Sequence, residues 1–191
     1  MKTIGKNIQN EIIIKSSRFL TYLLELSSSD ISSFLEDIRN QNPKANHYCY
    51  AYIYENEKGC SDDGEPSRTA GAPMLNVLEK EELNHVLAVT VRYFGGIKLG
   101  AGGLVRAYTK SVTEALKNVS LVELIEAYKV KITFDYKDEK QINYLVGEQA
   151  ILQKDYSSTP TYIVFIEKEK LCSLYPYSYE ILEECYMKKD S

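Results

Sequence analysis

The sequence predicts a two-domain α+β protein, and three features of its 191 residues carry that reading. Residues 86–94, VLAVTVRYF, form a continuous apolar and β-branched run, as expected of a central strand covered on both faces. Five glycines among the nine residues 95–103 separate that run from a segment of helical periodicity. Beyond Val122 the pattern becomes strand, helix, strand, strand, the order of a small ferredoxin-like unit. The domains are therefore expected to span 1–121 and 122–191.

Residues 11–15 and 19–26 read as two strands joined by a turn at Ser16, Ser17 and Arg18. Ile31, Phe34, Leu35 and Ile38 then recur at helical spacing, with Ser29 or Asp30 available as cap and Pro43 beyond the end. In residues 47–55, Cys49, Ala51 and Ile53 alternate with Tyr48, Tyr50, Tyr52 and Tyr54, which is the period of a strand. Its tyrosine face is open to two readings, core or binding surface. Pro73 suits the first turn of a short helix over 72–83. After the glycine loop, Leu104, Tyr108, Val112, Ala115, Leu116 and Val119 define the apolar face of a third helix. In the second part, a long strand precedes a helix over 138–149, and strands follow near 150–156 and 162–167. The tail from Leu171 fits either a helix or a final strand.

Composition excludes several classes. No apolar run approaches the ~20 residues of a membrane span. No apolar signal segment follows Lys2 and Lys6, so a cytoplasmic protein is expected. Cys49, Cys60, Cys172 and Cys185 have no C-x-x-C spacing, and His47 and His85 are the only histidines, which argues against zinc. Buried free thiols are expected. The net charge of −4 argues against a generally basic nucleic-acid binder. All five arginines (Arg18, Arg39, Arg68, Arg92 and Arg106) nevertheless lie in the first domain. Their planar forks suit phosphate or carboxylate.

Two segments concentrate the candidate chemistry. Residues 61–75, SDDGEPSRTAGAPML, bring Asp62, Asp63 and Glu65 close to Arg68. Residues 89–108, VTVRYFGGIKLGAGGLVRAY, carry Arg92, Gly95, Gly96, Lys98, Gly100, Gly102, Gly103 and Arg106. A glycine-rich entry to a helix presents free backbone amides and the positive end of the helix dipole, both favourable to an anion. The spacing matches neither a nucleotide P-loop nor a dinucleotide fingerprint. Tight packing of a strand-to-helix connection is the competing reading. The three carboxylates offer hard oxygen ligands for a divalent cation such as Mg²⁺. Structural pairing with Arg92 or Arg106 is the first expectation for them and metal binding the second. His47 and Cys49 share a strand face, but no third group that would activate the thiol is evident.

These motifs resemble those of the IMPACT/YigZ family. Lys15, Ser17, Arg18 and Phe19 are similar to its K-x-S-R-F motif, and His47 with Ala51 to its H-x-x-x-A strand. Residues 62–74 follow DDGEP…TAG-x-PM, and residues 92–108 follow RYFGG-x-KLG-x-GGLVRAY. Arg68 departs from the glycine that the family commonly places there. The resemblance implies a first domain like domain two of a small-subunit ribosomal protein and domain IV of elongation factor G, and a second like elongation factor domain V. Eukaryotic relatives carry a further N-terminal domain that binds a translational-control partner; this chain is expected to lack it, so that activity does not transfer. Shorter members are implied to bind nucleic acid or ribosomes, with no settled enzymatic activity.

The expectation is a non-catalytic, RNA- or ribosome-associated protein linked to translation, without a cofactor. Arg92, Lys98 and Arg106 would meet phosphates, Arg18 and Arg68 would assist, and aromatic neighbours would stack bases. Two alternatives stay open: a metal-assisted enzyme or binder for a small phosphorylated or acidic ligand, and a protein-binding module using the tyrosine strand.

Overall fold

The computed structural model describes residues 1–189, which divide into two compact units, one of Met1–Glu123 and one from Leu124 onward. The first unit opens with the short strand β1 (Lys2–Ile4) and the hairpin β2 (Ile8–Ile14) and β3 (Ser17–Glu25). Helix α1 (Ser32–Gln41) follows, then strands β4 (His47–Tyr54) and β5 (Glu57–Ser61). Helix α2 (Gly71–Lys80), strand β6 (Val86–Tyr93) and helix α3 (Ala101–Leu116) complete it. The antiparallel sheet runs β2-β3-β6-β4-β5.

The apolar run of residues 86–93 becomes the middle strand, and its two faces explain why it lacks alternation. Val86 and Ala88 pack with Phe19, Leu23, Ala51, Met74 and Leu104 beneath α2 and α3. Leu87, Val89 and Val91 face Leu20, Tyr22, Ile31 and Ile38 under α1. Both layers exclude water, so either face of β6 gains from apolar side chains. The tyrosines of β4 lie on the α1 side: Tyr48 is buried in that core, and Tyr50, Tyr52 and Tyr54 pack against it half-buried. Asn42 ties that layer together: its Nδ2 donates to the Tyr22 hydroxyl (3.0 Å), while the Tyr48 and Tyr93 hydroxyls donate to its carbonyl and Oδ1 (2.6 and 2.8 Å).

The β2–β3 turn is shorter than expected. It consists of Lys15 and Ser16, at φ 45° and 65°, while Ser17 and Arg18 already belong to β3. Positive φ at both central residues matches the right-handed twist of the flanking strands, here achieved without glycine. Strand β5 was not apparent in the sequence, because Glu57, Lys58 and Gly59 carry little strand propensity; it forms by pairing with β4 at the sheet edge.

In the second unit, strand β7 (Leu121–Thr133, whose first residues pair with β1) is followed by helix α4 (Glu139–Val146), β8 (Ile151–Asp155), β9 (Thr161–Glu167) and β10 (Ser178–Lys188). The strands are antiparallel in the order β8-β9-β7-β10. Val130, Ile132, Ile142, Tyr162, Val164 and Leu174 form its core. The ambiguous tail resolves into a 3₁₀ stretch, Lys168–Leu174, and then the edge strand β10 along β7. Among the described residues, no helix is long and apolar enough to cross a membrane.

Candidate functional site

On the α2/α3 side of the first sheet, the apolar core gives way to polar side chains toward one end. Thr21 of β3 and Thr90 of β6 meet at 2.9 Å, and Thr90 lies 3.3 Å from Ser111 of α3. One pair further along, Arg92 stands between Phe19 and His47 in the strand register. Only 5% of Arg92 is exposed. Its Nη1 donates to Glu65 Oε1 at 2.6 Å, and the Tyr108 hydroxyl of α3 donates to the same oxygen at 2.8 Å. The Glu65 side chain is 3% exposed, so the pair is nearly dry and its attraction is little screened. Burial and the neighbouring Cys49 and Glu65 push the Tyr108 phenol far above its ordinary range, which keeps it a neutral donor.

Arg92 and Glu65 line a cleft of about 490 Å³ together with His47, Phe94, Lys98 and Ala101. The guanidinium lies near the Phe19 and Phe94 rings, 5.5 and 5.6 Å from their centroids. Arg92 Nε is buried and has no hydrogen-bond partner among the described residues. Such a donor is costly to leave unmet, about 1–3 kcal/mol. Helix α3 begins at the cleft wall. Its first bond runs from the Leu104 N–H to the Gly100 carbonyl (2.9 Å), leaving the amides of residues 101–103 without an intrahelical acceptor.

The glycines serve separate ends. Gly96 and Gly100 have φ of 85° and 70°, the left-handed region. At Gly95 a Cβ would stand 2.0 Å from the Ser16 carbonyl carbon, so only glycine lets the two backbones meet. Gly102 and Gly103 form part of the first turn of α3, and a Cβ on Gly102 would meet nothing closer than Arg106 Nη1 at 3.9 Å.

Other expected site residues are elsewhere. Arg18 projects to the α1 side of the sheet, where it pairs with Glu11 (2.6 Å) and lies over Tyr93; strand alternation separates it from Arg92. Arg68 contributes its backbone N–H to Asp62 rather than a side chain to the cleft. Arg106 lines a neighbouring cleft with Lys15 and Lys110. The three carboxylates do not converge. Asp62 accepts from the N–H groups of Arg68, Ala70 and Gly71 at 2.7, 2.9 and 2.9 Å, organising the entry to α2. Partial burial raises its carboxyl, but those bonds outweigh it and hold the pKa below the ordinary value. Asp63 accepts from Arg39 (2.8 Å) and from the Tyr48 N–H (2.7 Å). Among the described residues, no group of three or more His, Cys, Asp or Glu side chains is placed to hold a metal. The donor sets therefore do not fit Mg²⁺.

His47 and Cys49 do share a strand face but not a chemistry. His47 Nδ1 donates to the Asp63 carbonyl (2.9 Å), and its Nε2 is 3.9 Å from Glu65 Oε2. Burial pushes the Cys49 thiol up to about 12, so a thiolate nucleophile is not formed near neutrality. Sequence reasoning missed Tyr108 as the second donor to Glu65, Ser17 as acceptor for the Gly95 N–H (3.2 Å), and Asn46, whose Oδ1 accepts from the Phe94 N–H (2.8 Å). Ser17 and Tyr108 lay within the quoted motifs. Their roles needed the fold, since each partner is more than 40 residues away.

Fold and site together define a two-unit α+β protein with an arginine-walled cleft at the start of a helix. The chain belongs to the IMPACT family: the model for the Impact N-terminal domain matches residues 15–116. It is similar to the IMPACT family member YvyE of Bacillus subtilis, 40% identical over 88% of this chain and 80% of that protein. It is also similar to YigZ of Escherichia coli, 36% identical over 76% of this chain and 75% of its relative. A crystal structure described as that of a hypothetical protein superposes with a TM-score of 0.70 at 30% identity, covering 95% of this chain and 97% of the other.

Proposed function

We propose that the cleft beside α3 binds phosphate groups of RNA, and that the protein is a non-catalytic, RNA- or ribosome-associated cytoplasmic factor linked to translation. One observation carries this reading: Arg92, almost wholly buried and with an Nε that has no hydrogen-bond partner among the described residues, lines a cleft that also holds Lys98 and the start of a helix. Glu65 cancels one unit of that positive charge, so affinity rests on oriented donors and on Lys98. Phe94, 46% exposed at the cleft, offers a face for an unstacked base. The connectivity and strand order of the second unit support a ferredoxin-like reading, and membership of the family supports the likeness to elongation factor domains IV and V. Membership of the family supports a role in translational control by analogy.

Binding of the purified protein to ribosomal subunits and to short single-stranded RNA, at several salt concentrations, tests the reading. Binding should weaken with salt, and Lys98→Ala should lower the slope of log K against log salt by about 0.7, the share of one phosphate on a single strand. Absence of binding at low salt would overturn it.

A further inference from the structure

The cleft described above has a neighbour. Ile14, Leu99 and Ala107 floor a second cleft of about 270 Å³, and Lys15, Arg106 and Lys110 stand around it. All three cations are exposed, and no carboxylate pairs with any of them among the described residues. Glu114, one turn beyond Lys110, bonds Lys117 (2.8 Å), and its carboxylate also feels the Lys110 charge. Three cations around one concavity repel one another, Lys110 being offset in part by Glu114, and an anion there relieves the repulsion.

The two clefts are adjacent by construction. Leu99 lines both. Helix α3 supplies Ala101 and Leu104 to the first, and Gly103, Arg106 and Lys110 to the second. From Ala101 to Lys110 the helix rises about 13.5 Å, at 1.5 Å per residue, enough for successive phosphates of an extended strand. Both cavities have apolar floors, and the exposed Phe94 ring stands at the first. Recessed pockets with an aromatic wall suit unpaired nucleotides, whose bases can leave the stack.

We propose that the second cleft continues the first, and that one single-stranded RNA runs through both with its next phosphates held by Lys15, Arg106 and Lys110. The inference rests on the RNA-binding reading but is separable from it.

The test compares wild type with the triple variant Lys15→Gln, Arg106→Gln, Lys110→Gln on oligouridines of increasing length, on a matched RNA duplex, and across a salt series. Lys110→Glu alone serves as a milder second variant, and circular dichroism melts report folding. Wild-type affinity should rise from a dinucleotide to longer strands. The triple variant should lose most of that gain and about 2 from its salt slope, roughly 0.7 for each of three phosphates. Lys110→Glu should weaken the longer strands and spare the dinucleotide. If wild type binds no oligonucleotide, the RNA reading itself falls. If wild type binds and both variants keep its length dependence and slope, the second cleft is not part of the path while the first reading stands. Duplex bound as tightly as single strand would overturn the single-strand assignment.

Discussion

Removing Glu65 should expose how far the buried ion pair holds the first unit together. In Glu65→Ala, Arg92 keeps its charge at a position where 6% of the side chain is exposed, with Ser17 Oγ at 3.5 Å as a weak remaining acceptor. The Tyr108 hydroxyl loses the same oxygen. Breaking one side of a buried pair costs about 3–5 kcal/mol, because the survivor is neither solvated nor paired. Replacing both partners removes the stranded charge, so Glu65→Ala with Arg92→Met should be less destabilised than the sum of the two single variants. A coupling of about 2 kcal/mol or more is expected, within the range for contacting residues. Urea unfolding followed by far-ultraviolet circular dichroism and by tyrosine emission measures it, since the chain has 16 tyrosines and no tryptophan. A cost below about 1 kcal/mol for Glu65→Ala, or strict additivity, would refute the claim that this pair is dry and mutually dependent.

Two further outcomes follow from the loop before α2. Arg68 adopts φ 62°, where a residue with a Cβ is disfavoured by about 1–2 kcal/mol, and its side chain does not line the cleft. Arg68→Gly should therefore raise the urea midpoint while leaving RNA affinity unchanged; weaker binding at higher stability would restore Arg68 to the site. Asp62 has a pKa depressed below 3.8, so its contribution is present above that pH and is lost as pH falls through its folded-state value. Asp62→Asn should cost about 1–3 kcal/mol at pH 7, by setting an amide donor against a backbone donor, and the gap from wild type should close in acid. A gap that stays constant from pH 7 to pH 3 would show that the charge is irrelevant.

The sequence was most legible where one physical demand dominated. The double burial of β6, the helical stripe of α3 and the glycine loop between them all appear in residue type alone. Arg92 and Lys98, singled out beside the glycine-rich helix entry, line one cleft, where Arg92 is also held in a buried ion pair with Glu65. The remaining features depended on partners distant in sequence. Nothing local distinguishes Arg18 from Arg92; a difference of one residue in strand register sends the first under α1 and the second toward α3. For the acidic run, three carboxylates in four residues, pairing with Arg92 or Arg106 was the first expectation and metal binding the second, and Glu65 does pair with Arg92. Folding directs Asp62 to the α2 entry, Asp63 to Arg39 and Tyr48, and Glu65 to Arg92. The tyrosine strand is ambiguous in sequence because a half-apolar ring suits either core or surface, and the fold divides it, with Tyr48 buried and Tyr50, Tyr52 and Tyr54 half-buried. Arg68 shows the converse: its left-handed backbone angle, φ 62°, is a demand that glycine would meet more easily, and nothing in the residue type announces it.

The contact between Gly95 and the β2–β3 turn reaches beyond packing. No side chain fits between those backbones, and Ser17 Oγ accepts from the Gly95 N–H while also lying within reach of Arg92. The hairpin tip, the glycine loop and the ion pair are thus clamped into one block. The tip has only two residues, so lengthening it by one would push against the loop and skew the cleft without altering any group that lines it. The length of a turn can in this way be as strict a requirement on the site as the identity of its arginine.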